Sequence, residues 1–411
     1  MLARLLRLVV PVEPGEIRPL LWSFAYHFAL LAGYFLIRPL RDEMGIAAGA
    51  RNLPWLFTAT FVTMLAAVPL YGWLVARIPR RRLVPLVYRF FLVNLLVFFL
   101  LWRAGIAPVW VARVFYVWVS VYNLFVVTIF WSVMADSWRS PQGKRLFGFV
   151  AAGGSAGAIV GPLLTASLAK AAGTAVLILL SAILLEVAAQ CMRRLPVTDD
   201  AAERPVGGGF LEGLRRLFAN PFLLGIGMTV LLYTVTSTFI YLEQAHILEA
   251  QVDKSAARIT IFALQDLFVN AVTIFLQAGV TGRIISGLGL AVSLSIVPVA
   301  TLAGYVALLI APSVLLVAVF QTVRRALHFA FDRPSREVLF TAVPREDKYK
   351  TKSVIDTLVF RGGDVVGAWT YAALGAAAIP AGIPFALAWL VTAVLLARAH
   401  EARAASKGAP P

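Results

Sequence analysis

Asp266 stands near the middle of an apolar run at 257–279, with Gln265 and Asn270 close by. An ionisable group held in hydrocarbon is costly unless it is paired or faces water, so each one is a candidate for solute binding, proton transfer or gating. Arg361 and Asp364 lie three residues apart in the run at 354–377, a spacing that lets the two pair on one helix. Arg113 sits about two helical turns inside the run at 108–134, where it either faces a solute or snorkels outward along its methylenes. Arg324, Arg325 and His328 share the run at 313–331, and snorkelling to headgroups is the plain reading for both arginines. His27 has the chemistry of a proton relay or of a satisfied core histidine. Glu186 and Glu243 complete the acids. The candidate solute-contacting set is Arg113, Asn123, Tyr241, Asp266, Asn270, Gln321, Arg361 and Asp364.

A second concentration of charge closes the first apolar run, where YFLIRPLRDEMG places Arg38, Arg41, Asp42 and Glu43 within six positions. Pro39 is expected to break the helix there and aim these charges inward. With Glu243 they form a candidate gate at one end of the spans. Asp136, Lys144, Arg145, Asp332, Arg336 and Lys352 form the matching candidate gate at the other end.

These residues need a scaffold, and composition supplies its class. The chain has 411 residues, 60% apolar and 14% charged, with mean hydropathy +0.83. A soluble domain is about 45–50% apolar and about 25% charged. Twelve mostly apolar runs between residues 20 and 398 are long enough to span a bilayer. They must be helices, because lipid cannot satisfy a free backbone group. The net charge of +16 is accounted for by the positive-inside rule and requires no nucleic acid. With the N-terminus inside, cytoplasmic segments hold 27 Lys and Arg, outer segments hold 7, and 3 lie within spans. That split predicts cytoplasmic termini and puts Arg38 to Glu43 outside. The single Cys191 excludes an internal disulfide and a cysteine-rich metal site. No Walker sequence, Gly-x-Ser-x-Gly or metal-ligand cluster is present, the loops are short, and neither an enzyme nor a cofactor is expected.

The chain also repeats itself. Arg77 and Arg283 end their spans 206 residues apart, and Gly153-Gly154-Ser155 and Gly362-Gly363-Asp364 are 209 apart. RRLPVTDDAAERPVGGG divides the spans six and six. The expected plan is an all-α polytopic membrane protein with twelve helices in two pseudo-symmetric six-helix bundles, as in major-facilitator transporters. Residues 1–192 form the N-terminal bundle, with an interfacial amphipathic helix at 1–10. Residues 193–220 are a cytoplasmic linker, 221–399 the C-terminal bundle and 400–411 a cytoplasmic tail. Gly153, Gly157 and Gly161 fall four apart, a ladder that lets two helices approach closely.

YFLIRPLRDEMG with NLPWLF, FYVWVSVYNLFVVTIFWSVMAD with GKRLFG, and RRALHFAFDRPSREVLFTAVPREDKYKTKSVID together resemble segments of the ATP/ADP translocase family, and the similarity runs through most of the chain. The resemblance implies a facilitator-like fold and a transport role. Nucleotide-exchanging members carry embedded Lys and Glu residues important for transport. At the aligned places this chain has Phe57, Val119 or Ser120, Tyr241 and Asp364. A triphosphate, with about four negative charges, needs buried cations in place of its water. The fold and role carry over; the nucleotide does not.

The expectation is a monomeric secondary transporter of the bacterial inner membrane. It moves a small polar or anionic solute by alternating access, with a proton as candidate coupling ion. A lipid or glycolipid flippase, a nucleotide exchanger and a non-transporting receptor are the alternatives on the same fold.

Overall fold

The computed structural model describes residues 11–78, 80–138, 140–195, 210–344, 347, 351–352 and 354–408, so the helix expected at 1–10 and most of the linker lie outside the described residues. Every regular element among the described residues is helical. Eleven stretches have the length and hydropathy to cross a bilayer. The last of them, Ile355–Arg403, has 49 residues. A straight helix of that length would reach ~74 Å, more than twice the ~30 Å hydrocarbon core. It turns at Gly375–Ala377, where Gly375 adopts φ +53°, a conformation open to glycine and strained for other residues.

Twelve crossing helices result among the described residues, as expected. They are α1 (Ile17–Ala47), α2 (Leu53–Arg77), α3 (Arg80–Arg103), α4 (Pro108–Ser137), α5 (Ser140–Leu168), α6 (Gly173–Met192), α7 (Pro221–Gln251), α8 (Ser255–Gly279), α9 (Gly289–Ile310), α10 (Val314–Leu327), α11 (Phe360–Leu374) and α12 (Ala378–Gly408). Helix α10 runs on through a π turn, His328–Asp332, into a further helix, Arg333–Leu339. A second π turn, Ile355–Val359, opens α11. Within the expected linker, Phe210–Ala219 is helical rather than loop.

One expectation is corrected at Pro39. Helix α1 does not stop there but continues without a break to Ala47. Proline removes one backbone donor, and the turn that follows is secured by the ion pairs of Arg41, Asp42 and Glu43 instead. The four charges therefore ride on the last turns of α1, not on a loop beyond it.

The chain divides into two compact units. The first contains Met1–Gly49, Val62–Glu203 and Val252–Asn270. Its centre is α1, wrapped by α4, α5 and α6, with α3 packed on α6. Leu20, Tyr26, Leu30, Leu36, Phe115 and Phe130 are fully buried there. The glycine ladder is the reason α5 lies so close to α1. A Cβ at Gly153, Gly157 or Gly161 would fall 2.5, 2.4 or 2.6 Å from the carbonyl oxygen of Phe24, Phe28 or Ala32.

The second unit contains Ala50–Phe61, Arg204–Gln251 and Ala271–Pro411. Its centre is α7, wrapped by α10, α11 and α12, with α9 packed on α12. This is the neighbour pattern of the first unit shifted by six helices. The repeat extends to single contacts. In the first unit Gly154 meets the His27 ring; 209 residues later, in the second, Gly363 meets the Thr234 hydroxyl.

Adding a methyl group at Gly157 forces α5 off the α1 backbone, an overpacking cost of about 1–3 kcal/mol. Gly157→Ala is expected to lower the unfolding temperature of the purified protein. Gly148→Ala, with nothing within 4 Å of its Cβ position, is expected to leave it unchanged or raise it. Equal effects at the two sites would refute the ladder as a packing device.

Candidate functional site

The α8 residues Arg258, Phe262, Asp266 and Asn270 are spaced four apart, so they form one stripe along the helix. Three of them carry polar chemistry, and each finds a partner within the first unit. Asp266, 1% exposed, is 3.2 Å from the Arg38 guanidinium of α1. The Arg258 guanidinium donates to both oxygens of the Glu43 carboxylate, at 2.7 and 3.0 Å. Asn270 donates to the Ala158 carbonyl of α5 at 2.8 Å. Glu43 is 2% exposed, so both ion pairs are largely out of water.

The charge order matters as much as the distances. Along α1 the cation comes first and the anion five residues later, while α8, running through the contact, carries an anion at 266 and a cation at 258. A slip of the register by one turn would part both pairs and leave buried charge uncompensated, which is costly in a low-dielectric seam. The pairs thus specify one alignment. Arg41 braces the same end of α1 by bonding Asp42 at 2.9 Å and lying over the Tyr116 ring at 4.0 Å.

Asp266 is the largest departure from the sequence expectation. It has no cation near it in its own span, which suggested a proton carrier; the structure supplies Arg38 from α1. Glu243, expected beside the α1 charges, instead accepts a 2.6 Å hydrogen bond from Tyr371 of α11. Arg361 and Asp364 pair as their spacing suggested, at 3.5 Å, and Asp364 also accepts from Thr238 of α7. Arg113 lies over the outward-facing Trp110 ring at 4.9 Å, the posture of a snorkelling arginine. Asn123 is half-buried on α4. Tyr241 meets Phe57 edge to face at 5.7 Å. Gln321 accepts from Arg324 at 3.1 Å.

At the opposite ends of the helices, the second candidate gate is divided among local pairs. Arg145 bonds Glu16 at 2.6 Å and Glu13 at 3.2 Å. Asp332 pairs with His328, Arg336 with Asp356 at 3.3 Å, and Lys352 with Glu337 at 2.5 Å. Asp136 is buried at the end of α4, and the side chain of Lys144 lies outside the described residues. Sequence reasoning missed Arg258, Glu13, Glu16, Glu337 and Asp356, which read as ordinary loop and end charges. It also missed the depth of Arg324, which is 1% exposed rather than snorkelled. His27 is the satisfied core histidine: its Nδ1 is 2.9 Å from the Val150 carbonyl and its ring stacks on Phe130.

Helix α2 and the turn before it, Ala50–Asn52, supply the corresponding contacts of the second unit. The Ala50 amide donates to Glu249 at 3.2 Å, the Trp369 indole donates to Thr58 at 3.0 Å, and Trp55 meets Trp369 edge to face. Helices α2 and α8 are repeat partners, and each gives its first part to the unit built mainly from the other half of the chain. The α8 contacts are ionic, and those of α2 are mainly aromatic and hydroxylic.

Twelve crossing helices, a doubled neighbour pattern and buried ion pairs between helices define the fold class of polytopic membrane transporters. The chain belongs to the Major Facilitator Superfamily, whose model matches residues 20–331. No curated protein sequence matches it. Among solved structures, it is similar to a point mutant of the nucleoside transporter NupG, with TM-score 0.64, 13% identity, and 94% of this chain and 99% of that one covered. A bacterial homologue of the iron transporter ferroportin gives TM-score 0.62, 14% identity and coverage of 93% and 98%. A bacterial homologue of the human lysosomal transporter Spinster gives 0.60, 15%, and 95% and 97%. At these identities the likeness is one of fold.

Removing one member of a buried pair leaves the other charge uncompensated, at a cost of about 3–5 kcal/mol. Arg38→Gln is therefore expected to destabilise the protein strongly, and Asp266→Asn in the same chain to recover most of the loss. Additive effects in a double-mutant cycle, read by chemical or thermal unfolding, would rule the pair out.

Proposed function

We propose that this protein is a secondary active transporter of the bacterial inner membrane that moves a small polar or anionic solute by alternating access. The observation that carries the reading is the pair of buried ion pairs, Arg38–Asp266 and Glu43–Arg258, by which α1 holds α8. A merely structural seam is served as well or better by apolar residues, since desolvation offsets much of the Coulomb gain. Ion pairs differ in that they re-form in one register after being parted and exchange their partners for water when the seam opens. They suit a contact that is made and broken in each cycle. In this reading residues 1–192 and 221–399 are the two moving bundles, the α1–α8 seam is the outer gate, and both termini are cytoplasmic. The protein works as a monomer, and Asp266 takes a proton when Arg38 leaves it.

Within the superfamily, the motifs quoted above favour a relative of the ATP/ADP translocases that has a different cargo. Phe57 and Tyr241 meet as an aromatic pair where nucleotide exchangers use embedded charge, and Asp364 is already held by Arg361. Neither arrangement suits a polyphosphate.

The orientation is testable with single cysteines in a Cys191→Ser background. Ala48, on the loop after α1, is buried and labels poorly, so the exposed Ala104 and Ser286 serve better. An impermeant maleimide should reach Ala104→Cys from outside and Ser286→Cys only after the membrane is opened. Labelling of both from one side would overturn the topology.

Transport itself is tested in proteoliposomes loaded with a bacterial small-molecule extract, with efflux followed by mass spectrometry against empty liposomes. At least one small polar or anionic solute should leave faster with the protein. Arg38→Asp or Asp266→Arg alone should stop it, and the swapped double variant should restore part of it. Protein-dependent scrambling of labelled lipid without solute efflux would favour the flippase, and no flux of either kind the receptor. ATP/ADP counterflow is expected to be absent; a saturable signal would restore the nucleotide.

A further inference from the structure

Arg324 is the most buried cation among the described residues of the second unit. It lies on α10 and is 1% exposed. Its Nη2 donates to the Ser237 hydroxyl of α7 at 2.8 Å and to the Gln321 side-chain oxygen at 3.1 Å. Its Nε and Nη1 make no hydrogen bond. No carboxylate among the described residues lies within ion-pairing distance of it; Asp364 pairs with Arg361 and Asp332 with His328. The phenols of Tyr233 and Tyr305 and the guanidinium of Arg325 also act on it electrostatically. The Tyr305 hydroxyl is already donated to the Thr236 carbonyl at 2.8 Å.

A buried cation with unused donors, whose charged neighbour is a second cation, Arg325, is unstable unless something supplies the missing negative charge. Burial excludes a snorkelling role. The surroundings are also shaped for function. Four residues on from Arg324 the helix takes its π turn, His328–Asp332, a feature frequent at functional sites. The His328 ring stacks on Tyr233 at 3.8 Å, and Tyr233 lies 5.4 Å below the guanidinium. This wall fixes the plane of Arg324 and leaves its nitrogen edge unspent.

We propose that Arg324, oriented by Ser237, Gln321 and Tyr233, is the anion-binding residue of the second unit, and that the solute carries one oxyanion, a carboxylate or a phosphate. The proposal rests on the transporter reading and narrows its cargo. One cation without a counter-charge matches one negative charge, whereas a di- or triphosphate would require several. The planar guanidinium donates to two oxygens at once, which favours carboxylate and phosphate over halide. An occupied site is neutral and an empty one charged, so loading the anion would change the electrostatic cost of burying α10 against α7.

The test uses the purified full-length protein and its unfolding temperature. The probes are lactate, pyruvate and inorganic phosphate, with lactamide, glycerol and sodium chloride at matched ionic strength as controls. At least one oxyanion should raise the unfolding temperature in a saturable way while the controls do not. Carboxylate and phosphate in separate arms decide which oxyanion fits. Arg324→Gln should weaken the apparent affinity by on the order of tenfold to a hundredfold, the loss expected for a hydrogen-bonded charge, and Arg324→Lys should recover part of it. Gln321→Glu, which places a permanent carboxylate beside the guanidinium, provides a readout independent of the ligand chosen. It should be more stable than the parent without ligand and insensitive to added anion. The proposal fails if Gln321→Glu is no more stable than the parent, if neutral amide and carboxylate act alike, or if Arg324→Gln keeps full affinity. Arg324-dependent binding without flux in proteoliposomes would sink the transporter reading and leave the site standing. Flux of a neutral solute with no anion effect would do the reverse.

Discussion

Hydrocarbon offers a charged side chain no partner, and the structure depends on how each embedded charge answers that constraint. Arg38, Asp266, Glu43 and Arg258 answer it by pairing between helices. Arg361 and Asp364 answer it within one helix. Arg113 answers it by lying along an outward-facing tryptophan. These solutions differ in what they fix. A pair within one helix constrains only its own turn. A pair between helices fixes their register and is lost when they part. The second kind is placed where α8, from the second half of the sequence, enters the first unit.

Close packing supplies the rigid part. Helix α1 cannot move relative to α5 without lifting backbone off backbone, because the three ladder glycines leave no side chain between them. The Thr165 hydroxyl adds a 2.8 Å bond to the Leu36 carbonyl, and the Ser181 hydroxyl a 2.9 Å bond to the Gly33 carbonyl. Helices α1, α5 and α6 are thus one body, joined by van der Waals contact and short polar bonds that no solvent reaches. The ionic seam to α8 is of a different kind: fewer atoms meet, and the contact is chemically reversible.

The elements were legible in the sequence for a simple reason. Hydropathy is a local property, and a span needs about 20 apolar residues in succession. The glycine ladder was equally legible, since its spacing is a property of one helix, and so was the Arg361–Asp364 pair. Pairings across helices were not. Arg38 and Asp266 are 228 residues apart, and Glu43 and Arg258 are 215 apart, and nothing in one segment points to the other. Asp266 therefore read as unpaired and Arg258 as a loop charge. Pro39 misled for the opposite reason: its local effect was real, but contacts beyond its own helix overrode it.

The two units carry the same helix plan but different chemistry at equivalent places, and the repeat makes that difference informative. Where the first unit sets the His27 ring against Gly154, the second sets the Thr234 hydroxyl against Gly363. The core of the first unit around α1 is aromatic, with the Tyr26 and Tyr88 hydroxyls bonded to each other, and the buried groups it leaves without a hydrogen bond include the Trp118 indole and the Tyr122 phenol, neither of them a cation. The second unit holds Arg324 with donors unspent, beside a π turn and a stacked tyrosine and histidine. A duplicated scaffold solves the packing problem twice with one plan. Residues that depart from the shared solution and leave polar groups unsatisfied are not required by packing. The second unit is thus the one that buries a cation among unspent donors, while the first joins α1 to α8 by ion pairs and to α5 and α6 by close packing.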